Sequence, residues 1–135
     1  MNDSRKTVKS NASCSRSKCP VSCTLDLLGD KWTLLLVRDL LLGKGTYTEF
    51  QQSPEGIPTN ILAERLKRLQ AAGIIEKLPY QDRPVRYRYK LTSKGRDLYP
   101  LISAMIDWGN RYVDGTISRA EIEAMLEGKS REGGD

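Results

Sequence analysis

The most reactive side chains in this sequence are three clustered thiols, Cys14, Cys19 and Cys23, at spacings of five and four. A thiolate can act as a nucleophile, a metal ligand or a redox centre. A structural zinc site takes four ligands, and three cysteines in a chain with no histidine do not close one, so no metal is expected. The odd cysteine count also does not fit a secreted disulfide scaffold. Two readings stay open. In the first, Cys23 is a small buried apolar residue on a helix and the other two thiols are incidental. In the second, Cys19 senses oxidants or electrophiles. It stands where a helix begins, and the helix dipole there lowers a thiol's pKa and favours the thiolate. Arg16 and Lys18 add positive charge beside it. Cys14, Cys23 or the Cys19 of a second subunit would then supply the other sulfur.

The absence of histidine removes His-based triads, His-bound zinc and His general bases. There is no Gly-rich phosphate loop, no nucleophile motif and no carboxylate cluster. Gly43-Lys44-Gly45 lacks the rest of a phosphate-binding pattern and reads as a turn. The sequence therefore does not read as an enzyme, and it calls for no cofactor.

The second chemically suggestive group is basic. The chain has 22 Lys+Arg against 17 Asp+Glu, a net charge of +5. The excess is segregated: residues 1–18 carry +4, 19–43 carry −1, 44–100 carry +5 and 101–135 carry −3. The middle of the chain is thus expected to face an anion.

These groups need elements to position them. The 135 residues suit one domain. Residues 1–18, rich in Ser, Asn and Lys/Arg, read as a basic disordered arm. Residues 19–115 read as the folded domain, and 116–135 as a short helix and tail. No apolar run approaches the ~20 residues that span a bilayer, and no apolar segment follows the basic start, so a cytoplasmic protein is expected.

Within the domain, Val21, Thr24, Leu25 and Leu28 recur at helical spacing, with Gly29 as a stop. Asp30 can cap a second helix, Lys31 to Leu42, apolar nearly all round and therefore central. A short helix, Thr48 to Gln52, and the turn Ser53-Pro54-Glu55-Gly56 lead to a helix from Thr59 to Ala72. The buried stripe of that helix is Leu62, Leu66 and Leu69. The period then changes to two. Ile74 to Leu78 and Val85 to Leu91 read as strands, joined by a loop Tyr80 to Pro84, with Arg86, Arg88 and Lys90 on one side. A long helix, Lys94 to Val113, is expected to kink at Pro100. Ser118 to Leu126 opens on a capping-box pattern.

A short helix, a tight turn and a polar-faced helix make a helix-turn-helix unit, whose second helix enters the major groove. The expected contacts are Pro58, Thr59, Asn60, Ala63, Arg65 and Lys67. Asn suits the N6/N7 edge of adenine, and the Pro58 start leaves amides free for a phosphate. The basic hairpin would be a wing, laying Arg83, Arg86 and Arg88 on the backbone or in the minor groove. The fold class expected is mainly α with a small β-hairpin wing, and the partner is double-stranded DNA.

Several motifs strengthen this reading: the Cys19-Pro20 opening, Gly29-Asp30-Lys31-Trp32 and Leu62-x-x-Arg65-Leu66-x-x-Leu69. Leu91-Thr92-x-x-Gly95 and Trp108-Gly109 complete the set. With them the segment from Cys19 to Tyr112 resembles the HxlR-type winged-helix transcription regulators, which are related to MarR-like regulators. The resemblance implies a homodimer, a palindromic operator, and repression or activation of nearby genes. It also implies thiol sensing, because some members respond to oxidants or electrophiles through the cysteine that corresponds to Cys19.

A two-fold contact has a physical basis as well. Val21, Leu25, Leu101, Met105, Trp108 and Tyr112 are more apolar surface than a monomer leaves in water. Some are expected to pack within the subunit and the rest across a dimer interface. Two alternatives compete. One is a regulator gated by a small molecule lodged between the long helix and the first helices, near Trp32, Trp108 or Tyr112, with structural cysteines. The other is a protein-interaction winged helix that does not bind DNA.

Overall fold

The computed structural model describes Cys14 and residues 16–125. The elements follow in the order α1 (Pro20–Leu28), α2 (Thr33–Leu41), α3 (Tyr47–Gln51), α4 (Thr59–Ala71), β1 (Ile75–Asp82), β2 (Val85–Leu91), α5 (Ser93–Arg96) and α6 (Tyr99–Tyr112). A further helical segment spans 119–125. Most of the expected arm, and the chain beyond 125, lie outside the described residues.

Helix α2 is the centre. Leu36, Val37 and Leu40 of α2 are buried, and α2 packs against both β2 and α6. Phe50 of α3 and the stripe Leu62, Leu66 and Leu69 of α4 complete the core with Ile74, Ile75 and Ile102. Each such side chain contributes roughly 1.5–3 kcal/mol on burial.

The two strands form one antiparallel hairpin, pairing Ile75 with Leu91 and Asp82 with Val85. The wing is longer than expected. The segment from Tyr80 to Asp82 is strand, not loop, and only Arg83 and Pro84 turn the chain. The long helix is also different. Pro100 does not kink it; the chain breaks into α5 and α6, and Pro100 sits in the first turn of α6. Proline lacks the N–H that an interior position would need, and the first turn needs none.

Gly95 explains why Leu91-Thr92-x-x-Gly95 joins wing to helix. A Cβ there would lie 2.2 Å from the Ile74 carbonyl oxygen and 2.8 Å from Leu91 Cδ2. The backbone of α5 thus touches the start of the wing, with Thr92 capping α5 and donating its hydroxyl to Gly73 O at 2.6 Å.

Candidate nucleic-acid interface

The short helix α3 is set by its cap. Thr46 and Glu49 form a reciprocal capping box, and Glu49 also accepts from the Gly45 amide at 2.8 Å. The turn after α3 is tied to α2. Asp39, almost fully buried, accepts from Ser53 Oγ at 2.6 Å, and Lys44 Nζ donates to Ser53 Oγ at 2.7 Å. Arg38 forks onto Glu55, with Nη1 to Oε2 at 2.7 Å and Nη2 to Oε1 at 2.9 Å. Gly56 has φ +70°, a left-handed turn that favours glycine. The turn therefore delivers Pro58, the N-cap of α4, at a fixed angle to the central helix.

A second clamp holds α4 along its length. Asp30 stands just before α2, whose N-cap is Trp32, and accepts from the Trp32 and Thr33 amides at 3.0 and 3.1 Å and from the Thr33 hydroxyl. Its Oδ2 also accepts from Arg65 Nε at 2.9 Å, and Arg68 approaches Oδ1 at 3.8 Å. Burial pushes the Asp30 carboxyl up. The hydrogen bonds from Thr33, Arg65 and Trp32 outweigh that and hold it well below the usual carboxylate range.

With α4 held on this side, Pro58, Thr59, Asn60, Ala63 and Lys67 are all exposed. Thr59 Oγ1 accepts from Gln51 Nε2 at 3.2 Å, which joins the two helices of the unit. Arg65 differs from expectation. Asp30 and Glu64 draw its guanidinium, so it fastens α4 instead of projecting outward.

The wing stands beside α4. Arg83 and Arg86 are exposed at its tip. Arg88 again differs from expectation, because its Nη2 donates to Gly43 O at 3.0 Å and meets Glu49 Oε1 at 3.3 Å. The Tyr89 amide donates to Gly45 O at 2.8 Å. These bonds make Gly43–Gly45 a bracket for the wing. A Cβ on Gly45 would fall 2.7 Å from Tyr89 O, so the bracket needs glycine. Nothing in the sequence pairs Asp30 with Arg65, Arg38 with Glu55 or Arg88 with Glu49. Each joins residues at least 17 apart, and no local pattern marks such pairs.

The thiols are arranged otherwise than the sequence reading expects. Cys14 and Cys23 form a disulfide with Cα atoms 4.9 Å apart, and Cys19 is the free, exposed thiol. Cys23 is therefore neither a plain buried residue nor a thiol ready to pair with Cys19. Helical geometry explains this, because Cys23 sits one turn beyond the N-cap Cys19, on the side to which the preceding chain folds back. Arg16 reinforces the fold-back through an ion pair with Asp26 at 2.9 Å. Backbone amides of Ser22 and Val21, at the N-terminus of α1, hold the Cys19 thiol below its ordinary pKa.

The apolar stripe is left uncovered. Trp108 and Tyr112 are each 63% exposed, with ring centroids 5.2 Å apart, and Val21, Leu25, Leu101 and Met105 are also exposed. The large cleft of the molecule lies elsewhere, between α2 and α6, and Trp32, Trp108 and Tyr112 do not line it. The cleft does lie between the long helix and the first helices, the place expected for an effector, but without those aromatic rings in its lining.

Comparison with known proteins agrees with this geometry. Residues 27–116 match the HxlR-like helix-turn-helix family. The HTH-type transcriptional regulator YdeP of Bacillus subtilis is 37% identical over 111 residues, covering 82% of this chain and 86% of the relative. The regulator Rv3095 of Mycobacterium tuberculosis is 36% identical over 93 residues; the match covers 69% of this chain and only 58% of that longer protein. Among solved structures, the redox regulator HypR in its oxidised form superposes with a TM-score of 0.65 at 35% identity, covering 71% of this chain and 99% of that one. The reduced transcriptional regulator YodB from B. subtilis gives 0.61 at 29%, covering 75% and 100%. None of these relatives is described as an enzyme, and among the described residues no helix is long and apolar enough to cross a membrane. The helix-turn-helix, its wing and these relatives agree: the chain is a transcriptional regulator that belongs to the HxlR-like helix-turn-helix family.

Proposed function

We propose that this regulator binds DNA sequence-specifically as a homodimer on a palindromic operator in the cytoplasm, that it represses, and that Cys19 makes it responsive to oxidants or electrophiles. One observation carries the reading: the N-terminal face of α4 and the basic wing tip are both exposed, with α4 fastened through Arg65 to Asp30 just before α2 and the wing through Arg88 to Gly43 just after it. Asn60 and Thr59 read base edges, Ala63 offers a methyl contact, and Lys67, Arg83 and Arg86 meet phosphate or minor groove. Arg65 and Arg88 act as positioning residues. The uncovered stripe on α1 and α6 supports a two-fold contact, and a two-fold protein reads a two-fold site. Repression requires only that the operator be occupied.

The sensing half is supported by the lowered pKa and exposure of Cys19 and by the likeness to HypR, a redox regulator. The Cys19 thiolate adds to an electrophile. Alternatively, it joins a second thiol in a disulfide while the oxidant takes up two electrons. With Cys14 and Cys23 already paired, the Cys19 of the other subunit is the favoured second thiol.

Fluorescence anisotropy against DNA from the region upstream of the gene tests both halves, at two salt concentrations, before and after diamide. Tight, salt-sensitive binding that diamide abolishes, and that Cys19→Ser makes diamide-resistant, is the expected result. Binding that diamide leaves unchanged removes the sensor and keeps the regulator. Equal affinity for random DNA would instead favour the interaction-module alternative.

A further inference from the structure

Gln51 and Thr59 meet across the turn of the helix-turn-helix. Gln51 is the last residue of α3 and Thr59 the first of α4, and both are exposed. Each sits close to a buried anchor: Phe50 precedes Gln51, and Leu62 lies one turn beyond Thr59. The turn between them is fastened to α2 through Ser53 on Asp39 and Glu55 on Arg38. The backbone therefore holds the two side chains opposite each other, and Gln51 Nε2 donates to Thr59 Oγ1 at 3.2 Å.

That one bond fixes a polarity. A hydroxyl has one proton to donate and two lone pairs that accept. With the Gln51 amide on a lone pair, the Thr59 proton is turned away from Gln51. No group among the described residues accepts it. Pro58, just before it, has no polar side-chain atom, and Glu55, the acid of the turn, is held in the Arg38 fork. The proton is thus left for an outside acceptor, at the end of α4 that leads into the major groove in a helix-turn-helix.

We propose that Gln51 is a positioning residue that makes Thr59 a one-way donor, so that the operator base facing Thr59 is guanine or thymine and not cytosine. The inference rests on the DNA-binding reading above and adds a base preference to it. In the major groove guanine presents O6 and N7 and thymine presents O4, all acceptors. Cytosine presents only its N4 donor, and adenine presents one group of each kind. A hydroxyl free to turn meets donors and acceptors alike. Held by Gln51, it meets acceptors.

The test is selection of binding sites from a pool of randomised duplexes. The proteins are the native full chain, Thr59→Val, Gln51→Glu and the double variant. Both positions are exposed, so the core is untouched. Thr59→Val keeps the branched shape and removes the hydroxyl, so the base position whose preference it flattens is the one facing residue 59. The native protein is expected to favour guanine or thymine over cytosine there by about fivefold, as one net hydrogen bond gives. Gln51→Glu replaces the donor with a carboxylate that only accepts. The Thr59 hydroxyl then donates inward and leaves its lone pairs outward. The preference should invert toward cytosine at that position and nowhere else, and the inversion should vanish in the double variant. The added negative charge weakens every duplex alike and leaves the ranking of bases as it was.

An unchanged preference in Gln51→Glu overturns the proposal, because Gln51 then sets no polarity. A native preference for cytosine overturns it too, since the hydroxyl would then face the Gln51 carbonyl. So does a Thr59→Val variant that loses affinity for all sequences equally, which would put the hydroxyl on a phosphate. Enrichment of a site by the native protein with any of these results sinks the inference alone. No enrichment of any sequence sinks the DNA-binding reading and the inference with it.

Discussion

Asn60 and Lys67 lie on one exposed face of α4 but are expected to fail differently when removed. Asn60→Ala removes a base-edge partner, so operator affinity should fall by about 1–3 kcal/mol while affinity for random DNA hardly moves. Lys67→Ala, and likewise Arg83→Ala or Arg86→Ala, should weaken all DNA alike and make the salt dependence shallower by about one unit each. Anisotropy on specific and random duplexes at several salt concentrations separates the two. The residue scale is also where sequence reading is weakest. It identified the exposed α4 positions, because helical spacing alone puts Asn60, Ala63 and Lys67 away from Leu62, Leu66 and Leu69, and Thr59 opens the helix. It does not show that Arg65 and Arg88 are held within the chain, because their partners, Asp30 and Glu49, come from other elements. It likewise left the thiol pairing open, since spacings of five and four permit several bridges and only the fold-back of Arg16 onto Asp26 brings Cys14 to Cys23.

Between elements, one carboxylate links two helices. Asp30 stands just before α2, fastens α4 through Arg65 and belongs to the Gly-Asp-Lys-Trp run that the sequence displays. Its folded pKa is depressed, so its stabilisation is full above the unfolded value of about 3.9 and is lost progressively as pH falls below that. Asp30→Asn keeps an acceptor for the amides but loses the charge facing Arg65. It should cost about 1–2 kcal/mol at pH 7 in urea unfolding, and the gap to the native protein should narrow near pH 3. Gly95→Ala is expected to be worse than its size implies, about 1–3 kcal/mol, because the Ile74 carbonyl cannot retreat without moving the wing. Unfolding curves for the two variants would check both. Element types and order were legible in the sequence, because the change of period from 3.6 to two announces the wing. The break at Pro100 was misread because a proline in a first turn and a proline at a kink look alike until the preceding helix is seen to end at Arg96.

For the molecule as a whole, the proposed dimer places the exposed stripe of Trp108 and Tyr112 in its interface. Trp108→Ser with Tyr112→Ser should shift a dimer to monomers in sedimentation equilibrium. The native protein, unlike the variant, should melt at a temperature that rises with its concentration. Operator affinity should fall with dimerisation even though neither ring is near α4, because one half-site is a weaker target than two. The bridge from Cys14 to Cys23 has a different reach. It closes a ring that contains Arg16 and Lys18. Trypsin cutting after either residue therefore opens a loop without severing the molecule there, and the product gains the mass of one water while both ends stay joined. Only a reductant separates the pieces, so a protease digest read by mass before and after reduction reports, molecule by molecule, whether the bridge was closed in the cell.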